Sequence, residues 1–152
     1  MTSVIFDLDG TLALIDDRRA LATKDNGKMD WDVFFDPKNI VLDKPNWPVI
    51  LMLQTLQRDG HRIVIFSGRS KATKDATRAW LNDFHIKFDV LKMRPTAGGM
   101  KFMKDDKLKK IWLDDLFPDK KQILGVFDDR DQVVQMWRDN GLTCFQVAPG
   151  DF

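Results

Sequence analysis

The chain has 152 residues, 43% hydrophobic and 31% charged, with 24 Lys and Arg against 23 Asp and Glu for a net charge of 24 − 23 = +1. That length fits one domain with a substantial core, and near-neutrality excludes a protein that coats long nucleic acid by bulk charge while leaving room for a local basic patch. The single cysteine, Cys144, excludes an intramolecular disulfide and points to a reducing compartment; with no apolar run long enough for a bilayer and no leader-like opening segment, the expected location is cytoplasmic.

The first predicted element is a strand over Ser3–Phe6, SVIF, followed at once by Asp7-Leu8-Asp9-Gly10-Thr11. Two carboxylates at the end of an apolar strand are costly to bury unless something neutralises them. They are either a polar turn in water or the holder of a cation. Residues 13–44 then break any simple pattern. More than about 30 residues is long for one connection, and Trp31, Val33, Phe34 and Phe35 make it more than disorder. It reads as a surface insertion folded on the body or as a small cap over the end of the first strand.

From Asn46 the pattern becomes regular. Val49, Ile50, Leu53 and Leu56 recur at helical spacing to Arg58, with Pro48 early and Gly60 as the stop. A strand is predicted over Arg62–Phe66, ending in Ser67-Gly68-Arg69, then a helix over Ser70–Phe84. A third strand over Phe88–Leu91 leads to Arg94, and a helix follows over Asp105–Phe117. The fourth strand, Gln122–Phe127, ends in Asp128-Asp129-Arg130. A helix over Arg130–Asn140 and a fifth strand over Leu142–Val147 complete the chain. Strands alternating with helices predict an α/β fold: a doubly wound, Rossmann-like parallel sheet of about five strands, with the insertion after strand one. Apolar runs such as Ile63–Phe66 suit strands covered on both faces.

Ligands of such sheets bind beyond the carboxyl ends of the strands. Each acidic or polar strand end has a plain local account, as a turn, a helix cap or a favourable charge at a helix N-terminus. Three together predict a site. Carboxylates crowded there repel without a cation, and hard oxygen ligands with no His or Cys set select Mg²⁺ over zinc. The two histidines, His61 and His85, sit at the opposite strand ends and are expected to be structural. No G-x-x-x-x-G-K-[ST] loop is present, so a phosphoryl group must be handled by carboxylates. Asp7 can attack phosphorus, and Asp9 can protonate the leaving oxygen and then activate water.

DLDGT after an apolar strand, FSGR after the second, a lysine-bearing helix and FDDR after the fourth resemble the haloacid dehalogenase-like (HAD) phosphohydrolases. More narrowly, FDLDGTLA, IVIFSGR, KDDKLKK, FDDRDQVVQMW and TCFQVAPGDF resemble the phosphatase domain of phage polynucleotide kinase-phosphatase, without the kinase domain. The resemblance implies a Mg²⁺-dependent 3′-phosphatase acting on nucleic-acid ends. It implies Asp7 as nucleophile and metal ligand, and Asp9 as acid–base with its carbonyl on the metal. Ser67 and Arg69 would hold the phosphate beside Gly10, Thr11 and Gly68, and Asp128 and Asp129 would complete the metal shell. The D-D-x-x-K spacing picks Lys109 as the catalytic lysine, whereas helix geometry alone leaves Lys107 open. Asp105 either positions that lysine or caps the helix, and Arg94 corresponds to a family arginine.

The insertion has only a loose counterpart in that family. Arg18, Arg19, Lys24 and Lys28 could line a nucleic-acid path and Trp31, Phe34 or Phe35 could stack a base, or the charges are a solvated face and the aromatics a small core. A small-molecule phosphatase such as a nucleotidase is the alternative function. A receiver-like module is excluded, because FDVLKM leaves no carboxylate at the end of the third strand.

Overall fold

The computed structural model describes residues 1–152. In chain order the elements are β1 (Ser3–Phe6), β2 (Ala13–Leu14), α1 (Asp16–Ala22), α2 (Trp31–Phe34), a 3-10 helix at Pro37–Leu42, β3 (Lys44–Pro45), α3 (Trp47–Arg58), β4 (Arg62–Ser70), α4 (Lys74–Asp83), β5 (Val90–Arg94), α5 (Asp105–Leu116), β6 (Ile123–Asp128), α6 (Asp131–Asp139) and β7 (Cys144–Gln146). Five strands form one parallel sheet in the order β5-β4-β1-β6-β7.

β1 is central and wholly buried. Its side chains alternate between two apolar layers, as strand geometry requires. Val4 and Phe6 join Ile63 and Ile65 under α3 and α4, where Ile50, Leu53, Trp80 and Leu81 pack. Ile5 joins Val64 and Phe66 under α5 and α6, against Leu108, Trp112, Val134 and Trp137. The sheet is therefore covered on both faces, as the continuous apolar runs predict. No helix is long and apolar enough to cross a membrane.

Several strand boundaries differ from expectation: β5 runs on to Arg94, β6 shifts by one residue, β7 spans only Cys144–Gln146, and two differences bear on the site. β4 continues to Ser70, because its ladder to β5 resumes past a register shift between Ser67 and Ser70. Ser67, Gly68 and Arg69 thus lie within the strand. β5 begins at Val90, because Asp89 turns its carboxylate onto the Ile63 N–H at 2.8 Å instead of extending the strand backwards. Ser70 caps a 3-10 turn at Lys71–Thr73, so α4 starts only at Lys74.

Residues 13–45 fold onto the α3/α4 face. β2 and β3 pair antiparallel, which draws the two ends of the excursion together. Ile15, Ala22, Phe34 and Ile40 join the core of that face. The Trp80 indole N–H donates to the Asp43 carbonyl at 2.9 Å, tying the excursion to α4.

Candidate active site

The site is built at the carboxyl end of β1, between β4 and β6, where chain direction leaves the sheet on two sides. The Asp7 N–H still donates to Phe127 O at 2.9 Å, so Asp7 is held by the ladder. The chain then folds over Leu8, whose carbonyl accepts from Thr11, Leu12 and Ala13 N–H. Gly10 permits this turn: its φ is +82°, and a Cβ there would stand 2.0 Å from Asp129 Oδ2.

Asp7, Asp128 and Asp129 are buried, and an oxygen of each lies within 4.8 Å of the others. Lys109, from the inner face of α5, donates to Asp7 Oδ1 at 2.7 Å and to Asp128 Oδ2 at 3.0 Å. The Trp137 indole N–H adds a 3.1 Å bond to Asp128 Oδ2, and the Asp129 N–H one of 2.8 Å to Asp128 Oδ1. Thr11 Oγ1 donates to Asp7 Oδ2 at 3.1 Å. Burial, reinforced by Asp128, lifts the Asp7 carboxyl well above the usual carboxylate range, more than Lys109 offsets. Burial also raises Asp129. Burial opposes the charge of Lys109, but Asp128 and Asp7 outweigh it and hold the ammonium protonated. Three carboxylates and one ammonium leave two formal negative charges. That hard-oxygen set fits a hard divalent cation.

Asp9, two residues on, is in a different setting. Its Oδ1 accepts from Arg69 Nε and from Arg18 Nη2, both at 2.8 Å. Asp43 accepts from Arg18 Nε at 2.9 Å and Arg69 Nη2 at 2.7 Å. Both arginine side chains are fully buried, as is that of Asp43. Burial opposes the Asp9 charge, yet Arg69 and then Arg18 prevail and hold its carboxyl below the usual range. Two guanidiniums and two carboxylates balance, so this half needs no ion.

The remaining expected residues are distributed unevenly. Gly68 lines the cavity; a Cβ there would meet Asp105 Oδ1 at 2.7 Å. The Ser67 hydroxyl is buried and accepts from Arg69 N–H at 3.2 Å. Arg69, expected to hold phosphate, does not line the cavity: its guanidinium is committed to Asp9, Asp43 and Thr77. Arg94 reaches the cavity but is largely engaged, donating to Gly68 O at 3.0 Å and pairing with Asp105. Asp105 neither caps α5 nor bonds Lys109; it bridges Arg94 and Arg130, the latter at 3.0 Å. Lys107 is exposed, so α5 presents Lys109 alone to Asp7. His61 meets Thr2 at the start of β4, and His85 occupies a turn at φ 57°, both away from the acidic edge.

The expectation that Arg18 lines a nucleic-acid path is corrected: its side chain is sealed beneath residues 13–45. Its place was legible, because Ile15, Arg18 and Ala22 share one face of α1 and the two neighbours are apolar and buried. Asp43 carried no such signal, lying in an irregular stretch. Of the three cap aromatics, Phe34 is buried and Phe35 packs against the core, whereas Trp31 is 60% exposed. The acidic cluster, Asp9, Gly68, Arg94, Arg130 and the Trp31 ring line one cavity of about 780 Å³.

A family model for the polynucleotide kinase phosphatase domain matches residues 1–152. A protein of Autographa californica nuclear polyhedrosis virus, provisionally named a bifunctional polynucleotide kinase/RNA ligase, is 34% identical over 96% of this chain, which spans 19% of the viral protein. A chain of the Pnkp1/Rnl/Hen1 RNA repair complex is 33% identical, with a TM-score of 0.80, over 99% of this chain and 43% of its own length. A phosphatase structure from Clostridium acetobutylicum shares the fold at 15% identity and a TM-score of 0.74, over 95% of this chain and 83% of its own. The chain thus spans less than half the length of the first two.

Proposed function

Since the chain belongs to the family of polynucleotide kinase phosphatase domains, we propose that it removes 3′-phosphates from nucleic-acid ends through an aspartyl-phosphate on Asp7. The observation that carries this reading is the division of the Asp pair. Asp7 stands in a cluster with two surplus negative charges, while Asp9 stands on two arginines.

Asp7, Asp128, Asp129 and the Asp9 carbonyl would hold Mg²⁺, which when bound would cancel the surplus charge and polarise the phosphate oxygens. Lys109 restrains the Asp7 carboxylate by one oxygen, leaving Oδ2, held by the Thr11 hydroxyl, to be aimed at phosphorus. In-line attack by Asp7 forms the acyl-phosphate bond as the bond to the leaving 3′-oxygen breaks. Asp9 gives that oxygen a proton, then accepts one from the water that attacks the phosphorus of phospho-Asp7; phosphate leaves and the carboxylate returns. The arginines favour ionised Asp9, so the incoming phosphate dianion has to counter their field before Asp9 carries a proton. Backbone N–H groups beside Gly68 and the Ser67 hydroxyl are suitable phosphate donors. Arg69 would support this step through Asp9 rather than by touching phosphate.

The test is phosphate release from matched 3′-phospho- and 5′-phospho-oligonucleotides and from mononucleotides, with Mg²⁺ or EDTA. Release should be fastest from the 3′-phospho-oligonucleotide, need Mg²⁺ and fall to the assay floor in Asp7→Asn. Preference for mononucleotides would replace this substrate assignment with the nucleotidase. Wild-type rates in Asp7→Asn would remove the covalent route.

A further inference from the structure

The cavity is larger than a phosphate needs, and its outer part is aromatic. A volume of about 780 Å³ is of the size that takes a whole small ligand. Five aromatic rings line it: Trp31, Phe34 and Phe35 in and just after α2, Phe102 from the connection between β5 and α5, and Phe152; Trp31 and Phe102 are the two most exposed. Trp31 is 60% exposed and Phe102 is 88% exposed.

Trp31 is open but not loose. Asp30 caps α2, its carboxylate accepting from the N–H groups of Asp32 and Val33 at 3.1 and 3.3 Å. The indole stacks on Phe35 with centroids 5.8 Å apart and meets Phe34 edge-on at 5.7 Å. Phe34 in turn lies over the Arg18 guanidinium at 4.4 Å, and its carbonyl accepts from Arg18 Nη1 at 3.1 Å. Arg18 holds Asp9. One chain of contacts therefore fixes the Trp31 ring relative to the carboxylate that handles the leaving group. Such a ring supplies stacking area with little ordering cost.

Phe102 is more exposed still. It lies after Gly98-Gly99 in a connection whose base is pinned by Arg94, which donates to the carbonyls of Met100 and Lys101 at 3.4 and 3.3 Å. Lys101 Nζ sits 5.1 Å from the Phe102 centroid and lines the same cavity, where it can meet a phosphodiester. A phosphate ester without a base has no use for either ring. A protein partner favours a contiguous exposed apolar patch, whereas these rings line a concave space that also carries Lys101 and Arg130.

Resting on the 3′-end reading above, we propose that Trp31 and Phe102 form a stacking subsite for the base of the terminal nucleotide, the one whose 3′-oxygen leaves Asp7-bound phosphorus. Trp31 is the platform held by its neighbours and Phe102 the more exposed second ring. Stacking is tolerant of base identity, so the subsite demands a base without choosing which.

The experiment compares kcat/KM for two 3′-phosphorylated oligonucleotides that differ only in the terminal residue, one bearing its base and one abasic. The wild type should prefer the base-bearing substrate by roughly ten- to a hundredfold. That preference should fall to within about threefold in Trp31→Ala, recover in Trp31→Phe, and fall part of the way in Phe102→Ala, whose exposed site carries no folding risk. A wild type indifferent to the base, or a Trp31→Ala protein of native circular dichroism that keeps the preference, overturns the subsite alone. A wild type that releases phosphate from neither oligonucleotide but does so from base-free phosphate esters overturns the 3′-end reading, and the subsite with it.

Discussion

Asp7 and Asp9 are two residues apart on one turn, yet their carboxyl groups live under opposite electrostatics. Asp7 faces two more carboxylates and one lysine, and burial pushes its proton affinity up. Asp9 faces two buried arginines that outweigh burial and push its affinity down. The Asp7 half carries two surplus formal charges and fits a cation; the Asp9 half balances and is closed. Identical side chains thus acquire unlike chemistry from what the surrounding elements bring to them.

The largest expected effect comes from opening the closed half. Arg18→Met leaves Asp43 buried with one partner fewer, and breaking a buried pair of this kind costs about 3–5 kcal/mol. Urea unfolding should show a midpoint lowered to match, and Arg18→Met/Asp43→Leu should regain much of the loss. A double variant as unstable as the single one would mean that Arg18 acts through packing on Phe34, not through its charge. Turnover should stay low in the double variant, because Asp9 keeps only Arg69.

The Asp7 half should respond to metal and to pH. At a Mg²⁺ concentration 100 times its dissociation constant, binding adds about 2.7 kcal/mol, a rise in Tm of roughly 5–10 °C for a chain of this size. Without metal the pH dependence should run in the unusual direction. Asp7 and Asp129 bind protons more tightly folded than unfolded, so from the unfolded carboxylate value of 3.8 upward the folded state holds the extra protons, and stability falls as pH rises. In EDTA the Tm should therefore be higher at pH 5.5 than at 7.5, and Mg²⁺ should remove the difference. A Tm that climbs with pH in EDTA would mean that Lys109 already neutralises the cluster. Lys109 itself stays charged throughout that window, so its stabilisation does not contribute to the slope.

The smallest effect belongs to charges outside both halves. Lys110 and Lys120 pair with exposed Asp114 and lower its proton affinity. The Asp114 contribution is present above the unfolded carboxylate range and lost as pH falls through its depressed folded value. Asp114→Asn should move Tm by no more than about 2 °C at pH 7, and kcat/KM not at all. A loss of turnover would show that α5 transmits strain from its outer face to Lys109.

Much of this was legible in the chain. Short continuous apolar runs marked five strands, because a strand covered on both faces is apolar throughout, and period-3.6 patterning marked the four helices that cover the sheet. Strand-end carboxylates marked the acidic edge, since three such ends together exceed what separate turns and caps explain. The D-D-x-x-K spacing picked Lys109, while helix geometry left Lys107 open until α5 turned Lys109 inward and left Lys107 outside. The pairing of Arg69 with Asp43 was not legible, because sequence places Arg69 beside Ser67 but not beside Asp43, 26 residues away and meeting it only in the folded chain. Trp31, Phe34 and Phe35 formed one motif in the sequence and separate only by burial.

What the sequence determined by itself was local: which segments are strands, which helices carry an apolar stripe, and which strand ends bear oxygen ligands. These follow from side-chain periodicity and charge, which are properties of neighbours along the chain. What only the tertiary structure decided was the opposite electrostatic settings of Asp7 and Asp9. Arg18 and Arg69 approach Asp9 from a cap helix and a second strand, and Lys109 approaches Asp7 from a helix 102 residues away. In a buried, low-dielectric site, a charge placed within hydrogen-bonding distance outweighs everything the adjacent sequence can do.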